Sequence, residues 1–165
     1  MDQRPLFARP PVALGFILAA VLLDQLIKYL VEAYLPLEQA VPVIPYLALY
    51  RTWNEGVAFS FLSGMNSWAI VGMRFVIIAF IVWWWRSSEH PSAFSHLGFA
   101  MVISGALGNI VDHFVYGHVV DYVLFHTGTW SFAVFNLADS FITLGAVTIG
   151  FCEIFLNRKA QREQE

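Results

Sequence analysis

A chain of 165 residues that is 58% hydrophobic, 16% aromatic and only 13% charged cannot coat a water-facing globule, because soluble domains carry about 25% charged residues. The net charge of -3 comes with no basic stripe, which excludes nucleic acid as a partner. The single cysteine, Cys152, excludes an internal disulfide and a multi-cysteine metal cage.

A helical span needs about 20 apolar residues, and four stretches qualify: 11–33, 68–85, 94–115 and 132–156. The expected fold is an all-α membrane protein of one domain, 1–165, with four transmembrane helices. Asp24 and Lys28 interrupt the first span four residues apart, the spacing of a helical charge pair. Residues 41–62 are β-branched and aromatic, and Asn54-Glu55-Gly56 supplies a Gly-containing turn, so a small β-hairpin is expected there. Pro36, Pro42 and Pro45 keep the first helix from continuing into it. Trp53, Phe59 and Phe61 suit an interfacial platform.

The second span carries one internal cation, Arg74, and ends in the Trp83-Trp84-Trp85 run and Arg86. The third holds Asn109 and Asp112 near its end, with Gly105 and Gly108 as small-residue contacts. Asp121 falls in the connection to the fourth span. There Asn136, Asp139, Ser140 and Thr143 recur at three- and four-residue intervals, which places them on one helical face. A polar tail closes the chain over 157–165.

Lys and Arg favour the cytoplasmic side. Arg4, Arg9, Arg86, Arg158, Lys159 and Arg162 therefore put both termini in the cytoplasm and the β segment outside, with Arg51 the exception. On that orientation Asp24, Lys28, Asn109, Asp112, Asp121, Asn136 and Asp139 gather near the extracytoplasmic face. A transporter needs polar groups at the midplane or throughout, so a one-sided cluster describes a site reached from outside. An ionised side chain in hydrocarbon costs at least about 2.5–3.5 kcal/mol, so Asp121 and Asp139 imply chemistry or transport. Two close carboxylates share one proton. The ionised member then activates water while the neutral one donates to a carbonyl, as in aspartic proteases.

Other routes fit less well. Cys152 lies at the far end, no Gly-x-Ser-x-Gly surrounds a serine, and His113, His118 and His126 lack zinc-site spacing. No metal and no cofactor is expected. A small proton-coupled carrier and a non-catalytic scaffold stay open as alternatives from other classes.

The same residues resemble the lipoprotein signal peptidase (signal peptidase II) family over nearly the whole chain. Leu23-Asp24-Gln25 with Lys28, Trp53 to Ser60, Gly105 to Asp112, Gly117 to Asp121 and Phe135 to Ser140 are similar, in order, to its five motifs. The resemblance implies a catalytic dyad of Asp121 and Asp139. Asn54, Gly56, Asn109, Asn136, Asp24, Lys28 and Asp112 would bind substrate or orient the dyad. It implies a diacylglyceryl-modified bacterial prolipoprotein as substrate, cut before the lipidated cysteine. It also implies an extracytoplasmic β-cradle, contact with membrane phospholipid, sensitivity to globomycin, and a place in the bacterial inner membrane; a monomer suffices. Two positions depart from the family pattern: Glu55 replaces a usual Thr, and His113 follows Asp112 where Arg is common.

Overall fold

Each helix begins and ends where its sequence allows. In the computed structural model, which describes residues 4–54, 67–88, 91–127 and 129–156, helix α1 spans Pro10–Tyr34. Its first turn contains Pro10 and Pro11, where a missing N–H removes no intrahelical bond. It stops at Leu35, which is extended ahead of Pro36. Helix α2 spans Ser67–Ser87. Helix α3 spans Ala93–Val115 and is capped by Ser92, whose hydroxyl accepts from the Ser95 N–H at 3.0 Å. Helix α4 spans Leu137–Phe151 and runs on into a π-helical turn, Cys152–Leu156.

Among the described residues, four helices are long and apolar enough to cross a membrane, and the chain is a multi-pass membrane protein. Of these, α3 is the central one: 67% of its most apolar window is buried, against 11–22% for the other three. Helices α1, α2 and α4 all pack on it. The outer faces of α1 and α2 carry exposed Leu14, Leu18, Leu22, Val76, Phe80 and Trp83, as helices solvated by lipid should. Gly105 explains how close α3 comes to α4. A Cβ there would collide with the Ala138 carbonyl oxygen, so only glycine lets the two backbones touch.

The β segment differs from the sequence expectation in three ways. First, strands β1 (Ala40–Ile44) and β2 (Leu47–Asn54) are joined at Pro45-Tyr46. Pro45 fixes one corner and Tyr46 takes φ 71 at the other, the pattern of a type II turn. The expected turn at Asn54-Glu55-Gly56 is thus not the one joining the hairpin: Asn54 ends β2, while Glu55, Gly56, Phe59 and Phe61 lie outside the described residues. Second, a third strand, β3 (Val119–Phe125), completes an antiparallel sheet of order β1-β2-β3, so Asp121 sits in a strand rather than a plain connection. Third, the apolar run expected to open the fourth helix at Phe132 stays extended until Asn136. Phe135 lies along the free edge of β3, its carbonyl accepting from the Val123 N–H at 2.8 Å and its N–H donating to the Val123 carbonyl at 3.1 Å.

Glu32, in the last turn of α1, ties the sheet to the helices. Its carboxylate accepts from Trp53 Nε1 at 3.0 Å and pairs with Arg51 at 3.4 Å, and its backbone carbonyl accepts from Arg51 Nη1 at 2.6 Å. Trp53 remains half-exposed above it, in keeping with an interfacial side chain.

Gly105→Val should force α3 and α4 apart. The expected loss is about 1–3 kcal/mol, read as a lower midpoint of thermal unfolding in detergent. An unchanged midpoint would contradict the close backbone contact.

Candidate active site

Four elements deliver polar side chains to one end of α3. Asp24, Gln25 and Lys28 come from α1, Asn109 and Asp112 from α3, Asn54 and Asp121 from the sheet, and Asn136 and Asp139 from the start of α4. Lys28 lies at the base of the cluster, fully enclosed. Its ammonium contacts Asp24 Oδ2 at 2.8 Å, Asp112 Oδ2 at 2.7 Å and Asn109 Oδ1 at 3.1 Å. Three donors therefore meet three acceptors. The expected Asp24–Lys28 pair forms, and Asp112 makes it a triad.

The start of α4 is fixed by this triad and by the sheet. Asn136 caps the helix: its Oδ1 accepts from the Asp139 N–H at 2.9 Å, and Asp139 Oδ2 accepts from the Asn136 N–H at 3.2 Å, a capping box. The Leu137 N–H donates to the Tyr122 hydroxyl at 3.1 Å and the Ala138 N–H to Asp24 Oδ1 at 3.1 Å. The first-turn donors that a helix leaves open are thus all used. Gly108 permits this arrangement, because a Cβ there would sit 2.7 Å from Asp24 Oδ2.

The two candidate catalytic carboxylates are joined through two amides. Asn109 Nδ2 donates to Asp139 Oδ1 at 2.8 Å. Asn136 Nδ2 donates to Asp121 Oδ1 at 2.7 Å and to Asn109 Oδ1 at 3.2 Å. The register of β2 on β3 puts Thr52 opposite Asp121. Asn54, two residues on and on the same face, reaches diagonally to donate to Asp121 Oδ2 at 2.9 Å. Asp121 is 1% exposed, whereas Asp139 is only partly buried. Burial and the neighbouring Asp139 charge raise the Asp121 carboxyl to about 7, against the opposing donors from Asn54 and Asn136. One member of the pair thus holds its proton near neutrality.

Of the residues singled out in the sequence, Asp24, Lys28, Asn54, Asn109, Asp112, Asp121, Asn136 and Asp139 are connected here. Gly56 lies outside the described residues. Ser140 turns back, its hydroxyl donating to the Asn136 carbonyl at 3.1 Å. Three further participants were given no site role in the sequence. Gln25 Nε2 donates to Asp112 Oδ1 at 2.6 Å, and its place in the Leu23-Asp24-Gln25 motif was its signal. Tyr122 holds the start of α4 and had none. Arg74, the internal cation of the second span, turns inward: its Nη1 donates to the Asn109 carbonyl at 3.0 Å and to His113 Nδ1 at 3.2 Å. Its charge is within electrostatic reach of Asp139, Asp112 and Asp121. Among the described residues, no three His, Cys, Asp or Glu side chains converge as a metal cage.

Comparison with known proteins converges on one family. The family model described as signal peptidase (SPase) II matches residues 16–155. A lipoprotein signal peptidase of Sinorhizobium fredii is 60% identical over 161 residues, covering 97% of this chain and 96% of the relative. One from Brucella ovis is 47% identical over 150 residues, covering 91% and 93%. Two solved structures described as bacterial membrane enzymes share the fold, both at 24% identity. One has TM-score 0.78 and covers 94% of this chain and 93% of its own; the other has TM-score 0.76 and covers 88% and 94%.

Lys28→Met should leave two buried carboxylates facing each other without their cation. Breaking a buried pair in this way costs about 3–5 kcal/mol. The check is thermal unfolding in detergent, where Lys28→Met should fall well below a surface control such as Glu38→Gln, at an exposed position outside the cluster. Equal stability would remove Lys28 from the base of the cluster.

Proposed function

The chain belongs to the signal peptidase II family of peptidases, and from that premise we propose that it removes signal peptides from diacylglyceryl-modified bacterial prolipoproteins as an aspartic endopeptidase. Cleavage falls before the lipidated cysteine. The observation that carries the mechanism is the amide bridge Asp139–Asn109–Asn136–Asp121, which holds two carboxylates in one set of hydrogen bonds.

The residues take distinct roles. Asp139, partly exposed and next to the positive end of α4, takes a proton from water as the oxygen bonds to the scissile carbonyl carbon. Asp121, buried and protonated up to about pH 7, donates to the carbonyl oxygen. As the C–N bond breaks, the proton on Asp139 passes to the leaving amine, and Asp121 recovers its own from the collapsing hydroxyl. Asn54, Asn109 and Asn136 orient the carboxylates, and Asp24, Lys28 and Asp112 hold Asn109 and the start of α4. Gly56 is assigned to substrate binding with Asn54 on the family resemblance alone. The sheet lies at the extracytoplasmic face of the inner membrane with both termini cytoplasmic, a placement supported by the Lys and Arg distribution. The enzyme acts as a monomer, and globomycin competes for the same site.

Asp121→Asn and Asp139→Asn should each fold and lose at least about 10²–10⁴-fold in rate, measured as the gel shift of a lipid-modified precursor on processing by purified protein. Processing that survives EDTA supports water activation by the carboxylates; normal turnover by either variant would remove the dyad. The pH profile provides a separate check. The Asp121 carboxyl is raised, so its acid form persists below about pH 7 and is lost above it, and kcat/KM should fall as pH rises through that value. Asn54→Ala removes a donor that favours ionised Asp121 and should move this alkaline limb to higher pH. A limb unmoved in the variant would assign it to another group.

A further inference from the structure

At the opposite end of the bundle from the dyad, the helices leave space. Among the described residues, α1 and α2 both pack on α3 yet hardly touch each other. Where α1 begins and α2 ends, the gap between them widens into a cavity of about 400 Å³. Leu14 and Ile17 form one wall, Val82 and Trp85 the other, and Ile103 lines it from α3. A short 3₁₀ turn, Leu6–Ala8, packs on α1 and α3 and adds Phe7 to the lining. The Trp85 wall is held in place: its ring stacks on Phe99 with centroids 5.6 Å apart, and its Nε1 donates to His96 Nδ1 at 2.7 Å.

The polar side chains lining the cavity, Trp85, Arg86 and His96, offer it donors. Because His96 Nδ1 accepts from Trp85, its Nε2 carries the ring proton. Arg86 also lines the cavity, is exposed, and has no acidic or hydrogen-bonding partner among the described residues. Hydrocarbon walls of this volume lie within the range of ligand pockets, and a void there would forfeit the dispersion contacts of its lining. In a bilayer the surrounding molecules that join an apolar chain to an anionic head are phospholipids. Basic pockets between transmembrane helices bind such heads.

We propose that this cavity is a binding site for one anionic phospholipid, with an acyl chain between α1 and α2 and the phosphate at Arg86 and His96. Its polar end at His96 lies about 20 Å along α3 from Asn109 and its deepest wall, Ile103, about 9 Å; none of the lining residues belongs to the dyad network, so the site is independent of the proposed peptidase mechanism.

Native mass spectrometry of the full chain in detergent tests it, with phosphatidylglycerol and phosphatidylcholine of identical chains added in turn. One phosphatidylglycerol should be retained about fivefold better than phosphatidylcholine, the effect of one arginine near an anionic head. Arg86→Gln should bring the two lipids to parity, and Ala13→Phe, which puts a ring into the cavity, should reduce retention of both. Glycerol phosphate should displace neither, because the chain is needed. Equal retention of the two lipids by the wild type, an unchanged preference in Arg86→Gln, or displacement by glycerol phosphate would each overturn the proposal.

Discussion

Burying carboxylates in an apolar bundle is the constraint on which the rest of this structure depends, and Lys28 is how it is met. A compact ammonium with three donors fits the three acceptors offered by Asp24, Asp112 and Asn109; the planar fork of arginine would not. The contact with Asn109 also propagates. Since Asn109 Oδ1 accepts from Lys28, its Nδ2 must face Asp139, and Asn136 must present Nδ2 to both Asn109 and Asp121. The polarity of both amides is therefore set by one charge. A flipped amide would place oxygen against carboxylate, so the network has a single consistent arrangement.

The same groups terminate a helix and hold the dyad. Asn136 and Asp139 form an ordinary capping box, and Asp24 and Tyr122 take the remaining first-turn donors. Helix ends usually spend such bonds on local stability alone. Here Asn136 has a second amide atom free to bind Asp121, and Asp139 a second oxygen free to bind Asn109. Phe135, paired along β3, keeps this helix end beside the strand that carries Asp121. Strand pairing and helix capping thus fix the two carboxylates relative to each other across the connection that separates β3 from α4.

What was legible in the sequence follows from range. Four runs of about 20 apolar residues identify four spans because the signal is contiguous. Val119–Phe125 gave no comparable sign: the seven residues are mostly apolar, and their β2 partners lie far away in the chain, as in Asn54 opposite Val119. Hydropathy could not place the start of α4 either, since Phe132–Phe135 is as apolar as the helix itself. The Asn136-x-x-Asp139 spacing marks the boundary, but the same three-residue interval also fits one face of a continuing helix. At the hairpin, Pro45-Tyr46 competed with Asn54-Glu55-Gly56, and the glycine drew the turn to the wrong pair. The site was more legible than the fold around it, because each of its charged residues stands out against an apolar background.

Arg74 and His113 show what that background conceals. A lone cation in a span can turn outward to headgroups or inward to a partner, and the sequence holds no preference. In the structure Arg74 turns inward to the Asn109 carbonyl and His113 Nδ1. A guanidinium can only donate, so Nδ1 must accept, and the 3.4 Å approach of that nitrogen to the Asn109 carbonyl is a contact between acceptors rather than a bond. His113 is therefore a neutral ring oriented by Arg74. Permanent positive charge near the dyad comes from Lys28 on α1 and Arg74 on α2, not from the residue after Asp112. The cation at this end of α3 is thus delivered from a neighbouring helix, its guanidinium on the Asn109 carbonyl beside His113.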